Sequence, residues 1–126
     1  MDTSQILCTL KGVTSFLGVY TSVVLAPPPL TLSATLIVNT DLHSAKGTHW
    51  LATHLQPRSY STYFFDSYGL PPLFPSILNY LRRACSVLEY NTTQLQGLIS
   101  AVCGEYCCVF ALYMDRGLSP NCMWAS

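Results

Sequence analysis

The sequence predicts a single α+β domain in which a central apolar helix packs on a mainly antiparallel sheet. Its 126 residues suffice for one domain with one sizeable core and are too few for two. Half of the residues are hydrophobic and only 10% are charged, which excludes a disordered or heavily solvated chain. The apolar pattern also alternates between β-forming runs and helical spacing, in the order helix, strands, helix, strand, helix.

Each element has a local reason. Asp2 or Thr3 can cap a short helix through Thr9 that Gly12 ends. The segment from there to about Thr31 holds Gly18 and Pro27-Pro28-Pro29 and is expected to be extended loop. Ala34 to Asn39 is a run of β-formers closed by Asn39-Thr40-Asp41, hence a buried strand. Thr48 to Leu55 and Tyr60 to Asp66 read as two more strands around Gln56-Pro57-Arg58-Ser59, a hairpin signal. After Gly69, Pro71-Pro72 stops the strand, and Leu73 to Ala84 places Leu73, Phe74, Ile77, Leu78 and Leu81 at amphipathic helical spacing. Ser86 to Tyr90 is a further short strand, Gln94 to Val102 a connection, and Cys103 to Met114 a strongly apolar helix closed by Gly117.

Charge and cysteine usage narrow the function. Six Lys and Arg balance six Asp and Glu, and among the basic residues only Arg82-Arg83 is a pair, so no global field attracts nucleic acid or an anionic membrane. The most apolar stretch, Phe16 to Leu32, is interrupted by three prolines and falls short of the ~20 apolar residues of a spanning helix. A signal peptide is not expected either, because the residues before Val13 carry Asp2 and a single Lys. Cys103, Cys107 and Cys108 cluster in one helical stretch, which favours reduced, buried thiols over three bridges with Cys8, Cys85 and Cys122. Their spacing, and that of His43, His49 and His54, does not match a zinc site. Asn91-Thr92-Thr93 forms a glycosylation sequon, a triplet that is common by chance.

One constellation carries chemistry. In a hairpin symmetric about its four-residue loop, Leu55 opposes Tyr60, Thr53 opposes Thr62, Leu51 opposes Phe64 and His49 opposes Asp66. Directly opposed residues share a face with Cβ atoms ~5 Å apart, within reach of an imidazole–carboxylate pair. Cys103, followed by Gly104, opens the buried helix, where the helix dipole and free N–H groups favour a thiolate. His49 as base and Asp66 as its orienter complete a nucleophile, base and acid set. The Gln96 amide and the Cys103 N–H are candidate donors to an oxyanion, and Gly104 leaves the nucleophile open to a peptide. Each residue also has an ordinary reading: a strand histidine, a turn aspartate, a loop glutamine and a core cysteine.

A string of short motifs weighs between these readings. Phe16-Leu17-Gly18-Val19-Tyr20, Ile37-Val38-Asn39-Thr40, Gly47-Thr48-His49-Trp50-Leu51-Ala52, Pro57-Arg58-Ser59, Tyr63-Phe64-Phe65-Asp66-Ser67-Tyr68-Gly69, Gln94-Leu95-Gln96-Gly97 and Ser100-Ala101-Val102-Cys103-Gly104-Glu105-Tyr106-Cys107-Cys108 together resemble the adenain-like family of adenovirus maturation proteases. The resemblance runs in order from about Phe16 to Met114 and extends to relatives in Maverick/Polinton transposons and adintovirus-type elements, to which Asp66-Ser67-Tyr68-Gly69-Leu70-Pro71-Pro72 and Tyr90-Asn91 look closer.

The resemblance implies a papain-like, adenain-like fold and a cysteine endopeptidase with His49 as general base, Asp66 as acid, Cys103 as nucleophile and Gln96 in the oxyanion hole. It implies viral or transposon structural precursors as substrates, cut at Gly-rich sites. Read from their own chemistry, Gly104 leaves room for the peptide, and Trp50, beside the base, is a substrate-side wall that limits water or equally a plain core tryptophan. Cys85 stands where the adenovirus enzymes carry the cysteine that joins an activating peptide; a free thiol is the expectation preferred here. No cofactor is required by the sequence, the neutral charge gives no support for a DNA cofactor, and a monomer in the host nucleus or virion, not secreted and not in a membrane, is implied. Residues 1–126 are expected to form one such domain, short at its C-terminus. A truncated peptide-binding relic and a ubiquitin-like-protein protease are the competing expectations.

Overall fold

The structure is a computed structural model that describes residues 2–21, 32–40, 49–72, 75–92, 94 and 102–119. Helix α1 (Thr3–Thr9) leads into strand β1 (Phe16–Thr21), followed by β2 (Ala34–Asn39), β3 (Trp50–Gln56) and β4 (Ser61–Phe65). Helix α2 (Pro75–Ala84), β5 (Val87–Tyr90) and helix α3 (Cys103–Asp115) complete the order. The five strands form one sheet in sequence order.

The sheet is mixed. Its inner pairs, β2 with β3 and β3 with β4, are antiparallel, as the hairpin signal requires. Its outer pairs, β1 with β2 and β4 with β5, are parallel. The second of these follows from α2, which returns the chain so that β5 runs alongside β4.

Alternation along the strands creates two cores. On one face Ile37, Trp50, Ala52 and Phe65 pack against Ile6 of α1, Leu10 just after it, and Cys107, Phe110, Ala111 and Met114 of α3. On the other, Leu36, Val38, Leu51, Leu55 and Phe64 pack against Ile77 and Leu81 of α2. All six residues from Trp50 to Leu55 are buried, because β3 is the middle strand covered on both sides. No helix among the described residues is long and apolar enough to cross a membrane.

The helix ends follow the local chemistry. The Asp2 carboxylate accepts from the Gln5 N–H at 2.8 Å while the Gln5 side chain accepts from the Asp2 N–H at 2.8 Å, a reciprocal capping box. Pro75 opens α2, where a missing N–H costs nothing; Leu73 and Phe74, which were expected to begin this helix, lie outside the described residues. After α3, Gly117 adopts φ +71° and donates to the Met114 carbonyl, while Leu118 donates to the Tyr113 carbonyl. These two bonds form the Schellman arrangement that a left-handed glycine permits.

Two expectations need correction. The segment after α1 is not loop throughout, since Phe16–Thr21 is the edge strand β1. Gly18 hides it: it sits at a register shift in the pairing with β2, where an isolated glycine marks a bulge. The hairpin register also differs, pairing Gln56 with Ser61, Leu55 with Thr62 and Thr53 with Phe64. Gln56 stays in the ladder, Pro57–Ser59 forms a 3-10 turn, and Tyr60 turns the chain in the left-handed region at φ 51°. The loop therefore lies one residue further along and the partners shift by two.

Candidate active site

Antiparallel and parallel pairing together bring four chain segments to one end of the sheet. The start of β3 lies beside the end of β4 because the two are antiparallel, and the end of β5 joins them because β5 runs with β4. Helix α3, packed on β3, brings its N-terminus to the same end, where the Trp50 N–H donates to Cys103 Sγ at 3.4 Å. His49, Asp66, Asn91 and Cys103 are the residues placed there.

His49 Nε2 lies 2.8 Å from Asp66 Oδ1, so the predicted pair forms despite the changed register. A shift of two preserves the face of every side chain and turns a direct neighbour into a diagonal one still within reach. The His49 main chain is held from the end of β2, where Thr40 donates both its N–H and its hydroxyl to the His49 carbonyl, at 3.0 and 2.9 Å. Tyr68 stacks on the imidazole with ring centroids 4.6 Å apart and 22° between planes. Its N–H donates to Asp66 Oδ1 at 2.9 Å, an Asx turn that sets the carboxylate's direction.

A side-chain hydrogen bond joins His49 to Cys103. His49 thus bonds the Asp66 carboxylate through Nε2 and the Cys103 thiol as well. The Gly104 N–H reaches the sulfur beside the Trp50 N–H. Val102, the residue before α3, provides no side-chain cap, so the first-turn amides are not claimed by a capping side chain.

These contacts shift the two protonation equilibria in opposite directions. Burial alone lowers the His49 pKa, but hydrogen bonds to Asp66 and Cys103 and the charges of both outweigh it, raising the imidazole from 6.5 to about 9. Burial alone raises the Cys103 thiol, but the His49 hydrogen bond, the Trp50 and Gly104 amides and the imidazolium charge outweigh it, and the net shift is downward from 9.0. The neighbouring thiols move the other way: burial, and then the surrounding negative charges, push Cys107 and Cys108 up. Of the three thiols on α3, Cys103 alone is shifted toward the thiolate, beside an imidazole shifted toward its protonated form.

The remaining predicted residues are placed as follows. Trp50 is 3% exposed and its ring belongs to the core under α3, so its direct contribution to the site is the main-chain N–H on the sulfur. Of the two readings of Trp50, a wall of the site or a core residue, the ring's burial matches the second. Gly104 is buried in the first turn of α3. Cys85 is half-buried beyond α2, unbridged, and donates to the Leu81 carbonyl at 3.1 Å. Gln96 and Cys122 lie outside the described residues.

Sequence reasoning missed Tyr68 and Asn91. Tyr68 is adjacent to Asp66 in a turn, and only the fold lays its ring on His49. Asn91 is 1% exposed, and its amide pairs with the Asp66 main chain. The sequon that begins at Asn91 is accordingly closed to glycan transfer in the folded chain.

The sequence profile described as adenovirus endoprotease matches residues 16–73. The protease of human adenovirus D serotype 9 is 37% identical over 106 residues, which cover 70% of this chain and 51% of that protein. The protease of human adenovirus A serotype 12 is 35% identical over 88 residues, covering 59% of this chain and 43% of the relative. The chain spans about half the length of these relatives. A crystal structure of the ASFV protease superposes with a TM-score of 0.63, over 93% of this chain and 56% of that one, at 15% identity, a likeness of fold.

Proposed function

Because this chain belongs to the adenovirus endoprotease family, we propose that it is a cysteine endopeptidase in which Cys103 is the nucleophile, His49 the general base and acid, and Asp66 the orienter. The observation that carries this reading is that His49 bonds Asp66 at 2.8 Å and is hydrogen-bonded to Cys103 as well. Nucleophile, base and orienter in a line is the arrangement that activates a weak nucleophile.

The Cys103 thiolate attacks the scissile carbonyl carbon, and the carbonyl electron pair moves onto oxygen. The oxyanion lies at the N-terminus of α3, where the Cys103 N–H and, in this reading, the Gln96 amide donate to it. The His49 imidazolium gives its proton to the leaving amine as the C–N bond breaks, leaving a thioester. Neutral His49 then takes a proton from water, whose hydroxide attacks the thioester and releases the acid product and the thiolate. Asp66 holds Nε2 throughout and stabilises the imidazolium form.

The proposed substrates are structural precursor proteins of a virus or virus-like transposon, cut at Gly-rich sites. The glycine after the nucleophile, Gly104, fits this, because an extended peptide lies closest to the nucleophile where neither chain carries a side chain. A free thiol at Cys85, in preference to a disulfide with an activating peptide, and action in the nucleus or virion belong to the same proposal. The test is incubation of the full chain with Gly-Gly-containing peptides and with ubiquitin-like precursors. The expected result is cleavage after a small residue in the first set, lost in Cys103→Ala. Cleavage that survives Cys103→Ala refutes the nucleophile; binding without cleavage by both proteins is the result for a peptide-binding module.

A further inference from the structure

We propose that Asn91 is a positioning residue for the reaction: its buried carboxamide clamps the main chain of Asp66 and thereby fixes the carboxylate that holds His49. This rests on the assignment of Cys103, His49 and Asp66 above.

Asn91 follows the last residue of β5 and is 1% exposed. Its Nδ2 donates to the Asp66 carbonyl at 2.6 Å and its Oδ1 accepts from the Asp66 N–H at 3.1 Å. Both bonds go to one residue, and they settle the orientation of the amide. Rotated by half a turn, the NH2 would face an N–H and the oxygen would face a carbonyl, so both contacts would become repulsive. The side chain thus acts as one more rung of sheet where the β4–β5 ladder, last paired at Phe64 and Tyr90, has ended.

Asp66 needs such a support because it lies outside the strand. The β3–β4 ladder stops at Ala52 and Phe65. Beyond it, the Asp66 carbonyl also accepts from the Gly69 N–H at 2.8 Å, and the carboxylate is divided between His49 Nε2 and the Tyr68 N–H. The turn sets where the carboxylate points relative to its own main chain, and Asn91 sets where that main chain stands in the fold. A catalytic carboxylate has to be held to within a fraction of an ångström for its partner to keep one orientation, and Asn91 is the side chain that reaches it from β5.

A carboxamide that only ended β5 would affect stability alone. A positioning residue must also move the protonation of the groups it positions. Besides His49, Cys107 of α3 senses the charge of this carboxylate, and Cys103 and the Tyr68 ring lie against the imidazole it holds. All are retained in the comparison below.

The test is the pH midpoint of Cys103 alkylation by iodoacetamide, resolved by mass spectrometry, together with Tm. It is run on the wild type, Asn91→Ala, Asp66→Ala and the double variant. Asn91→Ala is expected to raise the Cys103 midpoint by about one pH unit, a roughly tenfold slower alkylation below it. The double variant is expected to match Asp66→Ala, since the clamp acts through the carboxylate. If Asn91→Ala does not fold, Asn91→Ser, too short to span both groups, is read the same way. A lowered Tm with an unmoved midpoint, or two shifts that add in the double variant, would overturn the proposal. A wild-type Cys103 midpoint no lower than that of Cys8 would instead overturn the thiolate site beneath it.

Discussion

Replacing Asp66 by Asn removes the charge behind His49 while keeping the shape of the side chain. The contact is 2.8 Å and the His49 side chain is 19% exposed. Opposite charges ~4 Å apart interact by about 4 kcal/mol at an effective dielectric of ~20, and screening by the solvent at the exposed edge reduces this to roughly 2 kcal/mol. At ~1.4 kcal/mol per unit, the His49 pKa is expected to fall by about 1.5 units. The assay is an NMR titration of the imidazole C–H signals, assigned with His43→Gln and His54→Gln. The wild-type midpoint is expected at about 9, and that of Asp66→Asn well below it. A His49 pKa raised above its unfolded value contributes stability that is complete below pH 6.5 and is lost as the pH rises through about 9. The variant should therefore be less stable than the wild type at pH 6 in urea unfolding, with the difference shrinking above pH 9. A His49 midpoint unmoved by the substitution, or a stability difference independent of pH, would refute the reasoning.

Three further outcomes concern the scaffold. Burial holds His54 down to about 4, against the opposing charge of Asp115, with its Nδ1 hydrogen-bonded to the Thr35 hydroxyl at 2.7 Å. This neutral histidine contributes stability present above pH 6.5 and lost as the pH falls through 4, on the order of 2 to 3 kcal/mol; in His54→Gln, urea unfolding between pH 4 and 7 should show a flatter acid limb. Phe110→Ala removes a fully buried ring stacked on Phe65 at 5.2 Å and should cost ~3 to 5 kcal/mol by denaturant unfolding. Gly117→Ala meets open space but forces a φ of +71° on a side chain, and should cost about 1 kcal/mol, read as a lower Tm.

The parts legible in the sequence were those dictated by local chemistry. Ala34 to Asn39 is a strand from end to end, and α3 begins at Cys103 as its apolar pattern requires. Asp2 caps α1 through the Gln5 three residues on. The His49–Asp66 pair was legible for a more general reason, because side chains on a strand alternate with period two and the observed shift is also two. What sequence reasoning missed depends on tertiary neighbours. β1 exists because Val19 to Thr21 find partners in Ile37 to Asn39, across a glycine that locally argues against a strand. The turn was misplaced because Tyr60, rather than a glycine or asparagine, takes the left-handed position. Asn91 presented itself as a sequon, and its role emerges only when the parallel β5 brings it to Asp66.

The central claim is that one of several thiols in this chain is held as a thiolate by His49. Differential alkylation of the purified full chain with iodoacetamide from pH 5 to 9, with every cysteine read by mass spectrometry, tests it most directly. The account predicts that Cys103 is labelled rapidly below pH 7, that Cys107 and Cys108 on the same helix stay unlabelled there, and that His49→Ala removes the difference. Labelling of Cys103 no faster than that of the exposed Cys8, or fast labelling that persists in His49→Ala, would contradict it.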